Sequence, residues 1–596
     1  MRIPTRARTG LRTAAAMLID SVGTLRPTDR DRTAITVLLA AGVYVYYVDL
    51  GGSTLQSYDE AIYASIARGL IRGGSWFVPR VDWAADGAVV AEMLFLQKPP
   101  GAFWLQAISM RVFGATAFGA RFPSATFAIA TGVLAYVFGR DLFDRRAGFV
   151  AGLVWLTTPQ VFAGMNGGRN GGTDTALVFF GTLFVYLVWK GIADDRRYLA
   201  YAGFPAAGAL LVKGLAAGTF PLALLALVPF DLLGRRRLLS REAAIGATVT
   251  LVLALPWPIL AWLRHGDLFL EELVFKHVIN RAGGSFPPFH ETTFGFISYP
   301  YFRYLPSYFD PWLYFLLPAV GVVAVVAVRV RVTEGRSQPL RDTTFLLWWA
   351  ASVFSFFSVT GNQAWYILPL YVPAGLLAGR LVSLVASPRS IDRSLAVGGV
   401  VTGCVLTLVF TFRLDVTSLV RYRLQDHVPG GVAFALVLVV AAIAVIAERP
   451  LDSTLRRRWR DVDVSRLRTV AFVALALLLV STTAAPVEMG GSALDEQQEA
   501  AGTLIDHQTP PDATIFVVPE STRAGGFHSL VFYSNRSIEP VEETRAESND
   551  RIRYLFVHQE AAADLDRERR VVATLHDEDE TYYVLELGPP DGRWLE

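Results

Sequence analysis

Long apolar runs are the feature that most constrains this chain, because many of them are long enough to cross a membrane. Of the 596 residues, 53% are hydrophobic and 18% are charged, with a mean hydropathy of +0.38. Soluble proteins carry about 25% charged residues, so this composition excludes an ordinary soluble enzyme. A helix needs about 20 mainly apolar residues to cross the hydrocarbon core. The chain is therefore predicted to be an α-helical polytopic membrane protein.

Counting the apolar runs predicts about thirteen spans. They lie near 33–50, 117–138, 147–164, 174–189, 198–212, 214–232, 243–262, 311–328, 343–360, 364–385, 394–412, 431–447 and 468–486. The segment 1–32 is rich in arginine, and the apolar run after it lacks the small-residue cleavage site of a secretory signal. We therefore predict a cytoplasmic N-terminal segment at 1–32 and a transmembrane domain at 33–486.

Orientation is predicted from the positive charges. If the N-terminus lies inside, the loops on that side hold 31 of the chain's 55 Lys and Arg residues. Basic residues near span ends favour the cytoplasmic side, so we predict a multi-pass protein of the plasma (inner) membrane with a cytoplasmic N-terminus and an extracytoplasmic C-terminus. Three segments too long for simple turns then lie outside. They are a first outer loop at 51–116, a second outer loop at 263–310 and the C-terminal part at 487–596.

The C-terminal part, 487–596, is predicted to be a small soluble α/β domain. It holds 23 Asp and Glu residues against 9 Arg and has no Lys. The run EQQEAAGTLIDHQ favours a helix, and later runs rich in β-branched and aromatic residues favour strands. These predicted strands are TIFVVP, SLVFYS, IRYLFVH and TYYVLEL.

Charged groups gather in the outer loops, whereas the spans are nearly free of them. Carboxylates at the bilayer midplane would favour an ion-coupled transporter, but a cluster at the outer face favours a reaction site there. Asp59 and Glu60, in S-Y-D-E-A-I-Y, follow the first span. Such carboxylates can accept a proton from a hydroxyl. The same pair is also compatible with ordinary exposed loop residues.

Lysine usage points to further candidates. The chain has four lysines against 51 arginines, and Lys98, Lys213 and Lys276 stand in or beside outer segments. An ammonium and a guanidinium are not equivalent, so these lysines are candidates for positions that need an ammonium, with chance as the alternative. Lys98 is also a candidate partner for a lipid phosphate. Lys98, in L-Q-K-P-P-G-A-F-W-L, is equally compatible with an anchor at the membrane interface.

Other candidates lie at outer span ends. The turn G-M-N-G-G-R-N-G-G-T-D-T-A carries Arg169 and Asp174. Asp174 would also be favourable simply as a residue at a helix N-terminus. The motif G-N-Q-A-W-Y-I-L-P carries Tyr366, for which a place in the interfacial aromatic belt is the alternative.

The segment F-K-H-V-I-N-R combines Lys276, His277 and Arg281. At helical spacing His277 and Arg281 share a face, and a guanidinium matches phosphate oxygens. His290 follows, so two histidines could form part of a metal site, but no clean ligand motif exists. The single cysteine, Cys404, excludes a disulfide scaffold and a cysteine-ligated zinc site. No metal ligand is assigned, no cofactor is certain, and a divalent cation is left open.

An ordered set of motifs resembles a known family. The runs D-E-A-I-Y, G-S-W-F-V-P-R, K-P-P-G-A-F-W-L-Q-A and F-G-A-R-F-P-S-A are similar to the first outer loop of the GT-C membrane glycosyltransferases. The branch with the lipid A aminoarabinose transferases and the protein O-mannosyltransferases is the most similar. The resemblance continues through R-N-G-G-T-D, L-V-K-G, L-P-W, F-K-H-V-I-N-R, F-D-P-W and W-Y-I-L-P, and covers roughly residues 35–385.

The resemblance implies transfer of a monosaccharide from a polyprenyl-phosphate donor, undecaprenyl or dolichyl, outside the cytoplasm. It implies that Asp59 is the general base for the acceptor hydroxyl. The donor phosphate would be held by Lys98, Arg281 and Tyr366. Glu60 and Asp174 would shape the acceptor or sugar side of the site.

Departures from the family pattern bear on the substrate. The family often has Arg at Ile62, Glu at Gln97 and Lys near Asn362. The loss of Glu at 97 puts a metal there in doubt, and the missing cations suggest another sugar or acceptor than that of the aminoarabinose enzymes. The acceptor is expected to be a lipid or a cell-surface glycan, with protein Ser/Thr as the alternative. Two alternatives belong to other functional classes: a polytopic lipid or sugar transporter, and a non-catalytic membrane scaffold. No nucleic-acid partner is expected.

Overall fold

The computed structural model describes a helical bundle followed by a C-terminal mixed sheet. The described residues are 29–85, 87–225, 237–279, 305, 308–334, 338–360, 363–417, 493–522, 526–546, 549, 551–577 and 580–588. The predictions that lie outside them are the spans at 431–447 and 468–486, the segment 1–28, Arg281, His290 and Asn362.

Helices make up most of the described chain up to residue 417. The α-helices are α1 (Asp29–Tyr47), α2 (Asp59–Ile71), α3 (Gly101–Phe113), α4 (Ala117–Leu142), α5 (Arg145–Thr157), α6 (Pro159–Phe162), α7 (Asp174–Ala193), α8 (Arg197–Tyr201), α9 (Gly203–Lys213), α10 (Thr219–Leu224), α11 (Arg241–Ala254), α12 (Pro256–His265), α13 (Asp267–Leu270), α14 (Leu313–Glu334), α15 (Gln338–Thr360), α16 (Tyr371–Val385) and α17 (Ser390–Thr417). Shorter turns of 3₁₀ helix cover Gly214–Gly218 and Ala364–Leu370, and a π-helix covers Glu271–Ile279.

Six helical runs in the described residues are long and apolar enough to cross a membrane. They are Ala117–Leu142, Asp174–Ala193, Arg197–Leu224, Arg241–His265, Leu313–Val332 and Trp365–Val385. A helix satisfies its own backbone hydrogen bonds, which hydrocarbon cannot do. The chain is therefore a membrane protein, as the apolar runs predict.

The chain reverses direction between α9 and α10. Lys213, the last residue of α9, contacts Asp174 at the first turn of α7. Arg237, further along the chain, donates to the carbonyl of Ile192 near the other end of the same helix. Gly214 adopts φ 58° at the end of α9, a conformation that glycine adopts without steric cost. The end of the bundle that carries Asp174 and Lys213 is called the Asp174 end below.

The segment between α1 and α4 packs on the Asp174 end. It contains α2, the antiparallel hairpin β1 (Arg80–Ala85) and β2 (Ala88–Leu94), and α3. A small apolar core of Tyr63, Phe95, Phe103 and Met110 joins α2 to α3. This core fixes α2, and with it the carboxylates at its first turn.

The C-terminal segment, residues 493–587, forms a five-stranded mixed sheet in the order β4-β3-β5-β7-β6. Its strands are β3 (Thr514–Val517), β4 (Ser537–Pro540), β5 (Tyr554–His558), β6 (Arg569–Asp577) and β7 (Glu580–Leu587). β3 pairs in parallel with β4 and β5, whereas β5, β7 and β6 are antiparallel. The helices are α18 (Ala493–Gln508), α19 (His528–Ser534), α20 (Glu543–Ala546) and α21 (Gln559–Ala563), with a 3₁₀ turn at Pro519–Thr522.

One predicted strand is wrong. The run SLVFYS is the helix α19, which ends at Asn535 in the left-handed conformation, φ 57°. Nearly all of α19 is buried between the sheet and the 51–116 segment. A short, fully buried apolar run has no periodicity that separates a helix from a strand, so the sequence pattern was ambiguous here.

The C-terminal segment is docked directly on the residues that precede α2. The backbone N–H of Ser57 donates to Asp495 Oδ1 at 3.0 Å, and Ser529 Oγ donates to the Leu55 carbonyl at 2.7 Å. The buried guanidinium of Arg68 donates to the carbonyls of the last turn of α19. A cation there is stabilised by the negative end of the helix dipole. The docking therefore ties residues 54–57 to the C-terminal segment.

Candidate active site

Asp59 is the first residue of α2 and lies in a recess at the Asp174 end. Its side chain lies among buried groups, yet 35% of its surface is accessible. The preceding residue, Tyr58, has φ 68°, a strained value for a non-glycine residue. The carboxylate is therefore held in place by its surroundings and is still open to a ligand.

Three groups contact the Asp59 carboxylate. Lys98 Nζ lies 3.9 Å from Oδ1, and Asn166 Nδ2 donates to Oδ2 at 3.3 Å. Tyr63, one helical turn after Asp59, also hydrogen-bonds the carboxylate and contacts Lys98. Burial by itself raises the pKa of Asp59, but Lys98 and these hydrogen bonds outweigh it and hold the pKa below its usual value. Asp59 is therefore charged at neutral pH, the state that a general base needs.

A second ion pair lies beside the first. Asp174, the first residue of α7, is buried and contacts Lys213 at 2.5 Å. Lys213 Nζ lies 5.5 Å from the centre of the Tyr366 ring. The Lys213 charge also acts on Asp59. The fold thus brings Asp59, Asp174, Lys98, Lys213 and Tyr366 into one cluster, from five positions that are far apart in sequence.

Glu60 lies at the same helix end as Asp59 but has different surroundings. Arg121 donates to both of its carboxylate oxygens, at 2.7 and 3.0 Å, and the backbone N–H groups of Gln56 and Gly171 donate at 2.9 and 2.7 Å. Both side chains of the ion pair are almost fully buried. These contacts favour a structural role for Glu60, which links α2 to α4 and to the turn before α7.

Sequence reasoning missed three residues of this site: Arg121, Tyr63 and Asn166. Arg121 stands within the quoted run F-G-A-R-F-P-S-A, and Tyr63 stands four residues after Asp59, the spacing of one helix face. Asn166 stands within the quoted run G-M-N-G-G-R-N-G-G-T-D-T-A, but its contact with Asp59 depends on the fold of this glycine-rich turn. In that turn a Cβ on Gly172 would approach Asn166 Oδ1 to 2.2 Å. Glycine is thus required where the backbone passes Asn166.

Other sequence candidates lie away from the cluster. Arg169 donates to the carbonyls of Val45, Val48 and Asp49 at the end of α1, so the structure gives it a helix-capping position. Lys276 is half exposed and pairs with Glu272 at 2.5 Å. His277 lies in the same π-helical segment as Lys276.

Within the described ranges, no group of three or more His, Cys, Asp and Glu side chains is arranged to hold a metal ion. Gln97, where the family often has Glu, directly precedes Lys98.

Comparison with known proteins gives a consistent result. The family described as dolichyl-phosphate-mannose-protein mannosyltransferase matches residues 97–262, which include Lys98, Asn166, Asp174 and Lys213. An undecaprenyl phosphate-α-4-amino-4-deoxy-L-arabinose arabinosyl transferase of Pseudomonas savastanoi pv. phaseolicola is 27% identical over 68% of this chain and 70% of its own length. The same enzyme of Pseudomonas paraeruginosa is 28% identical over 72% of each chain.

The fold agrees with these matches. The crystal structure of ArnT from Cupriavidus metallidurans bound to undecaprenyl phosphate superimposes with a TM-score of 0.62, over 92% of this chain and 97% of that one, at 19% identity. In sequence and in fold the chain is therefore similar to the GT-C glycosyltransferases of the aminoarabinose transferase and protein O-mannosyltransferase type. The resemblance in the sequence motifs is thereby confirmed. In this glycosyltransferase the family match begins one residue before Lys98.

Proposed function

We propose that this glycosyltransferase transfers a monosaccharide from a polyprenyl-phosphate donor to a hydroxyl of a lipid or cell-surface glycan. The observation that carries the proposal is the accessible, charged Asp59 between Lys98 and Asn166, with the ammonium of Lys213 nearby. A base and fixed cations in one recess are what this reaction needs. The relatives named above, which by name use an undecaprenyl-phosphate-linked aminosugar, support the donor class.

The proposed reaction uses these groups as follows. Asp59 takes the proton of the acceptor hydroxyl as its oxygen attacks the anomeric carbon of the donor. The bond from that carbon to the phosphate oxygen breaks, and its electron pair leaves with polyprenyl phosphate. Lys98 and Tyr366 hold the phosphate, where negative charge develops. The resemblance in the sequence motifs adds Arg281, which lies outside the described residues, to these groups. Asp174 fixes Lys213 beside them, and Tyr63 and Asn166 orient Asp59.

We propose that the site lies at the extracytoplasmic face. In this proposal about thirteen spans at 33–486 cross the plasma membrane, with the N-terminal segment inside. Residues 487–596, which are rich in Asp and Glu, form a soluble α/β domain on the extracytoplasmic side. The basic loops support this orientation, because positive charge near span ends favours the cytoplasmic side.

Transfer by the purified protein tests the proposal. Detergent-solubilised protein is supplied with polyprenyl-phosphate-linked, radiolabelled sugars and with three acceptors: a membrane lipid extract, an extracted cell-surface glycan and a Ser/Thr peptide. Label on the lipid or the glycan supports the proposal. Label on the peptide alone establishes the protein O-glycosyltransferase alternative, which the family description favours. If no acceptor is labelled with any donor, the activity is excluded.

Lys98→Met is expected to weaken donor binding. A hydrogen bond to a charged group contributes about 1.5–3 kcal/mol, so the donor KM should rise at least about tenfold. Because Lys98 lowers the pKa of Asp59, its removal should also move the acid limb of the kcat/KM profile to higher pH. Both effects are measured by steady-state kinetics between about pH 2.5 and about pH 7, a range that extends to both sides of the reference value of about 4 for Asp.

Lys190→Met is the matched control, since Lys190 pairs with Asp141 and Asp194 at the opposite end of α7. It should leave the donor KM and the acid limb unchanged. An unchanged donor KM in Lys98→Met would remove Lys98 from the phosphate site.

A further inference from the structure

Tyr58, the residue directly before Asp59, has a backbone conformation that a tyrosine does not favour. Its φ is 68° and its ψ is −129°. Positions with positive φ are dominated by glycine, because a Cβ crowds the backbone there. A non-glycine residue keeps such a conformation only where its surroundings enforce it. The contacts of Tyr58 must therefore hold the backbone at the start of α2.

The ring of Tyr58 packs on the C-terminal segment. A Cβ built on Gly526 would lie 3.1 Å from Tyr58 Cζ, and the three atoms nearest to it all belong to the Tyr58 ring. The centre of the His528 ring lies 6.1 Å from that of Tyr58, in an edge-on arrangement. His528 is itself buried and packs edge-on against Trp83 of β1 at 4.9 Å. The ring therefore rests on a surface that is firmly packed from behind.

The backbone before Tyr58 is held by the same part of the chain. The N–H of Leu55 donates to the Tyr533 hydroxyl at 3.1 Å, and the N–H of Ser57 donates to Asp495 Oδ1 at 3.0 Å. Both the ring of Tyr58 and the chain that leads to it are thus fixed by the C-terminal segment. Relaxation of φ at Tyr58 would require some of these contacts to break.

The conformation of Tyr58 sets the position of Asp59. The Tyr58 carbonyl accepts from the Ile62 N–H at 2.9 Å, so α2 begins where Tyr58 places it. Asp59 is the first residue of this helix, and its carboxylate lies 3.9 Å from Lys98 and 3.3 Å from Asn166. A displacement of about 1 Å at a reacting group can cost about 10²-fold in rate. A change of φ at Tyr58 would therefore affect the chemical step.

We propose that Tyr58 is a positioning residue. Its ring, held by Gly526 and His528 of the C-terminal segment, maintains the strained backbone that places Asp59 beside Lys98 and Asn166. The C-terminal segment thus acts on the chemical step through the backbone of one residue. This inference rests on the transfer reaction proposed above, with Asp59 as its base.

Tyr58→Ala and Tyr58→Gly test this backbone role. Alanine removes the ring and still disfavours positive φ, so the chain should relax and single-turnover transfer at saturating donor and acceptor should fall at least about tenfold. Glycine removes the same ring but adopts this conformation without steric cost. Tyr58→Gly should therefore transfer at least about fivefold faster than Tyr58→Ala. A ring that only contacted a substrate would be lost equally in both variants.

The pH profile separates positioning from stability. When Asp59 moves, it leaves the Lys98 charge that lowers its pKa. The acid limb of the kcat/KM profile should therefore lie at higher pH in Tyr58→Ala than in Tyr58→Gly. Glu92, which also has positive φ (46°), is the matched control. Glu92→Ala and Glu92→Gly should both transfer at the native rate.

Gly526→Leu tests the contact with the C-terminal segment. The new side chain enters the space of the Tyr58 ring, so single-turnover transfer should fall at least about tenfold. In Tyr58→Gly/Gly526→Leu this space is free, and transfer should stay within about twofold of Tyr58→Gly alone. Gly321→Leu on α14 is the control, because apart from its own helix no described atom lies within 4 Å of an added Cβ there. It should transfer at the native rate.

The outcomes are distinct. Equal transfer rates of well-folded Tyr58→Ala and Tyr58→Gly would overturn the positioning role of Tyr58. An equal loss from Gly526→Leu with and without the Tyr58 ring would show that the C-terminal segment does not act through this ring. Absence of transfer by the native protein with every donor and acceptor would instead refute the underlying function.

Discussion

Asp59→Asn is expected to lower the turnover of sugar transfer by about 10²- to 10⁴-fold, the contribution typical of a positioned general base. The amide keeps the size of the side chain but cannot accept the hydroxyl proton. In the native protein Lys98 and Tyr63 hold this carboxylate in its charged form. The native enzyme is therefore fully active as a base at neutral pH, and the comparison with the variant shows the whole effect. Single-turnover assays with radiolabelled donor measure the chemical step directly.

The comparison variant is Glu92→Gln, which changes a largely exposed carboxylate of the same 51–116 segment. It should transfer sugar at the native rate. Asp59→Asn should also elute at the native position in size-exclusion chromatography and bind polyprenyl phosphate as before. Near-native turnover in a well-folded Asp59→Asn protein would show that Asp59 is not the base.

Arg121→Met should produce the largest loss of stability among single changes near the site. Glu60 and Arg121 are 1% and 2% exposed, and removing the guanidinium leaves a buried carboxylate without its main partner. Breaking a buried ion pair costs about 3–5 kcal/mol. Thermal unfolding in detergent should therefore occur at a clearly lower temperature, and activity should fall because α2 is no longer tied to α4.

Two further variants test whether the loss of stability comes from the unpaired Glu60 carboxylate. The double variant Glu60→Leu/Arg121→Met removes both charges and should recover part of the stability, since a matched apolar pair can replace a buried ion pair. Arg80→Met removes one partner of the largely exposed pair with Glu92, where about 0–1 kcal/mol is expected. Equal unfolding temperatures for Arg121→Met and Arg80→Met would contradict the structural role of the buried pair.

Much of the site could be predicted because its residues carry local signals. Asp59 and Lys98 stand in motifs where charge is placed next to apolar and aromatic residues. Asp174 and Lys213 stand at the ends of apolar runs. Each signal depends on nearby sequence alone, since hydropathy and charge are properties of a short window.

Other contacts could not be predicted, because they join residues that are far apart in the sequence and close only in the folded chain. Asn166 reaches Asp59 over a separation of 107 residues, and Asp495 reaches Ser57 over 438. The difference between Asp59 and Glu60 has the same origin. Two adjacent carboxylates have similar chemistry in the sequence, but only the fold places Arg121 against one of them.

The sequence by itself determined that this chain crosses a membrane and which motifs are candidates for its chemistry, because burial in lipid demands continuous apolar runs and makes charge within them costly. The tertiary structure alone decided that α19 is a helix, that Glu60 forms a buried ion pair with Arg121 and that the C-terminal segment docks on the residues before α2. These features depend on which distant surfaces pack together. Packing selects among local conformations whose intrinsic preferences are nearly equal.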